Sequence, residues 1–265
     1  MNNLISNQLK KIKSENRLGL MTHVVAGYPS LSTSLEIIQT MCNLNVDFIE
    51  IQIPFSDPMA DGPTIMNANQ TALDQNVNLQ DSFDLMESAV NTTDVPMLFM
   101  SYSNILFKNG IEAFCKKAKS VGASGLIIPD IPLEMPEYQK IKEICNKLDL
   151  TFMTVLSPNN SESRLNQMAG HVDELVYLPG RKGITGINAN LQDSLKSEIQ
   201  LANTILNCAV AVGFGIRTTT DITLLKKANA DVAVIGSALI DNIDKSDIQN
   251  SVKRFLKPII DTLPY

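Results

Sequence analysis

The sequence predicts an α/β fold: a single (β/α)8 barrel of the TIM-barrel class. Two observations support this. Short apolar segments alternate with amphipathic segments eight times along the chain, which is typical of parallel strands joined by helices. The chain has 265 residues, close to the roughly 250 typical of such a barrel. It contains no linker rich in Gly, Pro or Ser, which favours one domain spanning residues 1–265.

The predicted elements of the first half begin with a lead-in helix, because apolar residues of the N-terminal segment share one helical face. Ser30 is expected to cap the second helix. Pro54 ends the second strand, since it has no N–H group for a strand ladder. The predicted strands are 19–25, 48–53, 97–100 and 125–129, and the predicted helices are 2–14, 30–44, 79–90, 110–120 and 136–148.

The second half continues the alternation. Thr218 or Thr219 is expected to cap the helix after the seventh strand, and residues 238–242 can form a short extra helix after the eighth. The predicted strands are 151–156, 175–178, 209–212 and 232–235, and the predicted helices are 160–169, 190–203, 218–228 and 245–262.

Composition excludes several functional classes. The net charge of −6 argues against a nucleic-acid partner or an anionic membrane surface. No apolar run approaches the roughly 18 residues of a membrane span, and the N-terminal residues are too polar for a signal peptide. Four widely spaced cysteines predict reduced thiols and a cytoplasmic location. With two histidines in the chain, a His-rich metal site is not expected.

Two carboxylates frame the loop after the second predicted strand. Glu50 lies inside an apolar strand, where a charge is unfavourable unless it is paired or used. Asp61 lies at the far end of the loop. One carboxyl group on a rigid strand and another on a loop that can close over a substrate suit proton transfer. A paired structural charge for Glu50 and plain turn chemistry for Asp61 are the alternatives.

Glycine clusters follow the last three predicted strands. Glycine lets the backbone approach a ligand, so that N–H groups can bind phosphate oxygens. Phosphate sites after strands seven and eight recur in this fold, although each cluster alone is also compatible with an ordinary turn. A dinucleotide site is disfavoured because the third glycine of its fingerprint is missing. The clusters lie at 180–186, 213–215 and 236–237.

Residues 50–63 resemble the signature of the tryptophan synthase alpha subunit family, E-L-G-x-P-F-S-D-P-x-A-D-G-P. Glu50 and residues 54–58 and 60–63 match it. The family patterns Y-L-V-S-R-x-G-V-T-G, G-F-G-I and G-S-A are similar to residues 177–186, 213–216 and 236–238. The chain departs from the family at five places: His23 replaces Phe, Tyr28 replaces Asp, Gln52 replaces Gly, Pro179-Gly180 replaces Val-Ser, and residues 155–158 depart from an Ala-Pro-Thr pattern.

The resemblance implies a lyase that splits indole-3-glycerol phosphate into indole and glyceraldehyde 3-phosphate by a retro-aldol reaction. It implies that Glu50 moves a proton between a glycerol hydroxyl and ring carbon C3, and that Asp61 serves the indole nitrogen. No metal or organic cofactor is expected. The implied partner is a pyridoxal-phosphate beta subunit in a heterotetramer. A free-standing lyase and an inactive paralogue that binds or activates a partner remain alternatives.

The resemblance also implies a set of binding residues. Tyr177 is expected to orient Glu50, and Thr185 to reach Asp61. His23 stands where the family places Phe against the indole, with a hydrogen-bonded filler as the alternative. Because strand side chains alternate, Gln52 points to the same side as Glu50, and its amide is expected to contact Glu50 or a neighbouring strand-end polar group. Phe214, Tyr102, Ile65 and Ile128 are expected to line the indole pocket, and Gly186, Gly215, Gly236 and Ser237 to hold the phosphate.

Overall fold

The computed structural model describes residues 3–157, 160–179, 189–213 and 215–265. Its centre is a closed barrel of eight parallel strands arranged in sequence order, with the eighth strand paired to the first. The fold class predicted from the sequence is confirmed. The strands are β1 Gly19–Val25, β2 Phe48–Gln52, β3 Met97–Met100, β4 Gly125–Ile127, β5 Thr151–Val155, β6 Leu175–Pro179, β7 Ala209–Gly213 and β8 Val232–Ile235.

Helices surround the barrel. In the described part of the chain, none of them combines the length and apolar character needed to cross a bilayer. Ser30 and Thr218 act as caps as predicted: the Ser30 hydroxyl accepts from the N–H of Thr33 at 3.2 Å, and Thr218 forms a capping box with Asp221. The helices are α1 Leu4–Ser14, α2 Leu31–Asn43, α3 Pro63–Asp74, α4 Leu79–Val90, α5 Ser103–Asn109, α6 Ile111–Ser120, α7 Pro136–Lys147, α8 Glu162–Met168, α9 Ala189–Leu206, α10 Thr219–Lys227, α11 Ser237–Asp241 and α12 Ile248–Ile260.

Two of these helices, α3 and α5, go beyond the sequence prediction. Gly62-Pro63 is typical of a turn, yet Pro63 occupies the first turn of α3. Its missing N–H is not needed there, and its fixed φ suits a helix start. The buried residues Ala68 and Ala72 share the inner face of α3. The helix α5 begins directly after β3 with no side-chain cap at Tyr102, so no local sequence signal marks its start.

The barrel interior changes from apolar to polar along the strands. Met21 of β1 lies beside Phe48 of β2, and both are fully buried inside the barrel. One layer further toward the carboxyl ends, His23 lies beside Glu50, and Gln52 follows. Because successive strand residues point to opposite faces, these side chains share the inner face. The intervening Ile49 and Ile51 pack outward against the helices. The register therefore gathers buried polar groups at one end of the barrel.

The opposite end of the barrel is fixed by a buried ion pair. The guanidinium of Arg17 donates to both carboxylate oxygens of Asp47, at 2.6 and 2.7 Å, and Asp47 is 1% exposed. The backbone N–H of Leu20 donates to the same carboxylate at 2.8 Å. The start of β1 is thereby tied to the residue preceding β2, so this pair supports the β1–β2 register.

We expect Asp47→Ala to lower the free energy of unfolding by about 3 kcal/mol, because it leaves the Arg17 cation and the Leu20 N–H without their buried partner. Urea unfolding measures the loss. The matched control is Glu112→Ala, which breaks an ion pair with Lys116 whose side chains are both more than 60% exposed, and it should leave the unfolding midpoint unchanged. Equal shifts in the two variants would contradict the special role of Asp47.

Candidate active site

A cavity of about 440 Å³ opens at the carboxyl ends of the strands. This is the end at which barrel enzymes carry their chemistry, and the volume suits a small organic ligand. The cavity is lined by side chains and backbone from strands around the whole barrel. Among the predicted site residues, those lining it are His23, Glu50, Asp61, Ile65, Tyr177, Gly215, Gly236 and Ser237.

Glu50 lies on β2 with a side chain that is 6% exposed. Its charge partner is His23, whose Nδ1 is 3.3 Å from Glu50 Oε1. The β1–β2 register places the two residues side by side on adjacent strands. Glu50 is thus both a paired buried charge and a cavity-lining group, and the two interpretations of its sequence position are compatible.

His23 is the second ionisable group of the cavity. Burial acts to lower the pKa of its imidazole, but the charge of Glu50 and the hydrogen bond to it outweigh burial, with further help from Asp61 and Gln52. The net result is a raised pKa, which favours the imidazolium form. The other ring nitrogen, Nε2, is buried and has no hydrogen-bond partner among the described residues.

Asp61 is held by two donors. The amide Nε2 of Gln52 donates to Asp61 Oδ2 at 2.6 Å, and the hydroxyl of Tyr102 donates to the same oxygen at 3.0 Å. Burial raises the pKa of the Asp61 carboxyl, and the charge of Glu50 raises it further. Gln52, His23 and Tyr102 act in the opposite direction, and burial prevails. The loop carboxyl is therefore fixed in place and biased toward its neutral form.

Gln52 has a polar partner, as expected, but that partner is Asp61 on the loop and not Glu50 or a strand-end group. Tyr102 differs from its prediction: it does not line the cavity with Ile65 but lies behind the loop, 1% exposed. Its ring stacks on Phe55 with centroids 5.2 Å apart. Its hydroxyl accepts from the N–H of Ala60 at 3.0 Å while donating to Asp61. Tyr102 therefore positions the loop carboxylate.

Tyr177 lies on β6 and faces the cavity. A Cβ atom at Gly213 of β7 would be 2.2 Å from the Tyr177 hydroxyl oxygen, so this strand position requires glycine. Burial raises the pKa of Tyr177, and the charges of Glu50 and Asp61 raise it further, which keeps the phenol protonated. In the described part of the chain no hydrogen bond joins Tyr177 to Glu50; His23 makes the contact that was expected of Tyr177.

Ile128 was expected in the indole pocket, and the structure places it elsewhere. It packs in the layer between barrel and helices, while its neighbour Ile127 lines the cavity. The reason is the alternation of strand side chains. The predicted residues Thr185, Gly186 and Phe214 lie outside the described residues. Other lining residues were not predicted, although inward-facing positions near strand ends are the signal that could identify them: Met100, Val155 and Val234.

Gly215, Gly236 and Ser237 line the cavity on the β7–β8 side. A methyl group added at Gly236 would be 3.3 Å from Cβ of His23 and 3.6 Å from its Cδ2, so even the smallest side chain at this position would press against His23. Among the described residues, no group of three or more His, Cys, Asp and Glu side chains has the arrangement of a metal site. What the cavity offers a ligand is two largely buried carboxyl groups, which suit proton transfer to and from that ligand.

Comparisons with known proteins agree with this picture. A family model described as tryptophan synthase alpha chain matches residues 9–259. The tryptophan synthase alpha chain of Syntrophotalea carbinolica is 38% identical over 240 residues, which cover 91% of this chain and 93% of that protein. A mutant tryptophan synthase alpha-subunit from Pyrococcus furiosus has a TM-score of 0.83 at 27% identity, covering 92% of this chain and 98% of that one. Mycobacterium tuberculosis tryptophan synthase has a TM-score of 0.89 at 23% identity, covering 98% of both chains, and shares the fold.

The fold and the site together define a (β/α)8 barrel with two carboxyl groups in a cavity at its strand ends. The family match and the 38% identical relative specify it further. The chain belongs to the tryptophan synthase alpha chain family. It is a carbon–carbon lyase of tryptophan biosynthesis, and the reaction of its family is the cleavage of indole-3-glycerol phosphate into indole and glyceraldehyde 3-phosphate.

We expect Asp61→Asn to stabilise the fold at pH 7. A carboxyl whose pKa is raised by folding destabilises the native state once it ionises. Asparagine removes the charge and keeps an acceptor for Gln52 and Tyr102, so the free energy of unfolding should rise by roughly 0.5–2 kcal/mol. The gain should be full above the folded pKa of Asp61 and should vanish as the pH falls toward the ordinary value of 3.8.

Chemical unfolding between pH 4 and pH 7 measures this difference. The matched control is Asp57→Asn, an exposed carboxylate on the same loop, which should show no such pH-dependent gain. A destabilised Asp61→Asn protein at pH 7 would show that the Asp61 charge supports the fold instead of straining it.

Proposed function

We propose that the cavity at the strand ends is where indole-3-glycerol phosphate is cleaved, with Glu50 and Asp61 as the catalytic residues. The observation that carries this proposal is that both carboxyl groups line one cavity. Each is held there by a neighbour: Glu50 by His23 and Asp61 by Gln52 and Tyr102. A pair of positioned carboxyl groups in a water-poor pocket suits general acid–base catalysis.

The reaction requires two proton movements. One proton joins ring carbon C3, and one leaves the hydroxyl on the glycerol carbon attached to C3. The bond between these carbons then breaks: its electron pair returns to the ring, and the hydroxyl carbon becomes the aldehyde. We assign both of these proton transfers to Glu50. We assign to Asp61 the binding of the ring N–H as the ring gains and loses charge. The proton balance closes on these groups, so the proposed mechanism needs no cofactor.

The phosphate is assigned to the β7–β8 side of the cavity. Gly215, Gly236 and Ser237 lie there, and glycine backbones allow N–H groups to approach a phosphate closely. Gly186 and Phe214, given to the phosphate and the indole by resemblance, remain predictions. On the opposite side Ile127 and Met100 provide apolar surface for the indole ring. Ile65 of α3 adds apolar surface on the side of β1 and α11.

The partner in this proposal is a pyridoxal-phosphate beta subunit, in a heterotetramer of two alpha and two beta chains. Support comes from exposed apolar side chains near the cavity end of the barrel. Met59, on the loop after β2, is 83% exposed, and Phe107, on the helix after β3, is 40% exposed. A cytoplasmic location is also proposed, and four free cysteines are consistent with it.

Replacing Glu50 by Gln tests the catalytic assignment. We expect turnover of indole-3-glycerol phosphate to fall by about 10²–10⁴, because the amide cannot exchange a proton with substrate. Binding of indole-propanol phosphate, an unreactive mimic, should persist. Indole release and calorimetric binding are the two measurements.

A variant that is expected to lose binding of the mimic serves as the control. Ser237→Asp should weaken binding of the same mimic, since it places a negative charge beside the proposed phosphate position. Near-normal turnover in Glu50→Gln would refute the assignment of Glu50. Unchanged mimic affinity in Ser237→Asp would place the phosphate elsewhere.

The partner proposal predicts that a beta subunit from the same genome stimulates cleavage. The stimulation should tolerate added salt, because Tyr28 replaces a family Asp and the docking surface has one charge fewer to be screened. Turnover measured with added beta subunit across a salt series tests this. Absence of stimulation would favour the free-standing lyase, whereas stimulation of a partner by a chain that forms no indole itself would favour the activating subunit.

A further inference from the structure

The imidazole of His23 is held on two sides. Its Nδ1 contacts the carboxylate of Glu50 at 3.3 Å. On the opposite edge, a Cβ atom at Gly236 would be 3.6 Å from Cδ2 of the ring. The side chain is 5% exposed. Both neighbours belong to strands or strand ends adjacent to β1 in the barrel, so the ring has little freedom to turn. A fixed ring fixes the direction of both of its nitrogens.

The second ring nitrogen, Nε2, is buried and makes no hydrogen bond to the described residues. The side chain of Gln52, whose Oε1 is also unpartnered, interacts with the ring and raises the pKa of His23. The ring itself lines the cavity. Buried polar atoms are normally hydrogen-bonded, and one that lacks a protein partner calls for a ligand or an ordered water. The side of the ring that contacts Gly236 is the side of the proposed phosphate position, where the polar half of the substrate lies.

We propose that His23 bridges Glu50 and the substrate: Nδ1 positions the Glu50 carboxylate, and Nε2 binds a hydroxyl of the glycerol portion. This inference rests on the function proposed above. A hydroxyl suits the site because Glu50, on the other nitrogen, serves the hydroxyl that loses its proton. One rigid ring then sets the distance between the proton acceptor and the group it acts on.

The charges facing His23 come from a small set of elements. From β2 and the loop after it come Glu50 and Asp61, and Tyr177 of β6 interacts electrostatically with both. On the other side, β8 consists of Val, Ala, Val and Ile and contributes no ionisable side chain. The short helix α11 carries Asp241, which is paired with Arg217. In α3 the sole charged side chain, Asp74, accepts from Gln70. Burial lowers the pKa of His23, and among the charged groups it is the two carboxyls, Glu50 before Asp61, that raise it.

Because the chain has two histidines, NMR can follow how the titration of His23 depends on Glu50. We expect the imidazole signals of His23 to titrate at lower pH in Glu50→Gln than in the native protein, because the carboxylate that raises the pKa of His23 is gone. His171 is exposed and serves as the reference, with signals unaffected by the substitution. An unchanged His23 titration would overturn the coupling to Glu50.

Three variants of His23 distinguish the roles of its two ring nitrogens. Asparagine places its amide near the position of Nδ1, and glutamine places its amide near that of Nε2. We expect His23→Asn to keep kcat within about twofold and to raise KM about tenfold, the loss of one hydrogen bond. His23→Gln should keep KM within about twofold and lower kcat, with a shifted pH profile. His23→Phe should show both defects, a raised KM and a lowered kcat with a shifted pH profile.

Ligand binding identifies the group that Nε2 contacts. Glycerol 3-phosphate carries the hydroxyls, and indole-propanol phosphate lacks them. His23→Asn should weaken binding of glycerol 3-phosphate and leave that of indole-propanol phosphate unchanged, which also shows that the variant is folded. Equal weakening of both would assign Nε2 to the phosphate and overturn the hydroxyl contact. His171→Asn is the matched control and should change none of these values.

The outcome is separable from that of the proposed function. If Glu50→Gln retains turnover, the catalytic assignment fails. If Glu50→Gln is inactive but the Asn and Gln variants at His23 behave alike, or His23→Phe leaves the pH profile unmoved, the bridging role alone fails.

Discussion

The register between β1 and β2 is the constraint on which the site depends. It places Met21 beside Phe48 in an apolar layer and His23 beside Glu50 in the next. A shift of one residue would turn Glu50 outward into the layer of Ile49 and Ile51, because side chains alternate along a strand. The Arg17–Asp47 pair at the far end of the same two strands resists that shift. Closure of the barrel fixes the remaining strands relative to these two.

Burial of two carboxyl groups in one cavity is unfavourable, and the neighbouring side chains show how the chain tolerates it. Glu50 is paired with an imidazole, and Asp61 receives two hydrogen bonds on a single oxygen. The compensation is incomplete, since burial still raises the pKa of Asp61 and both Nε2 of His23 and Oε1 of Gln52 are unpartnered among the described residues. Unsatisfied groups of this kind are typical of sites whose polar atoms are completed by a ligand.

Strand positions were predictable within two residues, because buried parallel strands are short apolar runs with few competing interpretations. The partner of Gln52 was predictable in kind, since alternation sends its amide inward. The prediction for Ile128 was wrong by one position. The strand β4 has three residues, and so short a pattern does not show which side chains point inward. The role of Tyr102 depends on the path of the loop carrying Asp61 past the end of β3. No local sequence pattern indicates that the loop passes there, so the contact between Tyr102 and Asp61 became known only from the structure.

The two family departures inside the barrel are best understood together. Gln52 and His23 both point inward from adjacent strands, and each contacts one of the two carboxyl groups. With glycine at position 52, Asp61 would lose one of its two donors and keep Tyr102. With phenylalanine at position 23, Glu50 would lose its ion pair. In the function proposed above, the substrate brings a phosphate of about −1.5 to −2 charge into a cavity that already holds two acidic groups. An imidazolium beside Glu50 offsets one of these charges, and Coulomb interactions are strong where water is largely excluded. His23 therefore makes the cavity less repulsive to its anionic substrate while leaving both carboxyl groups in place.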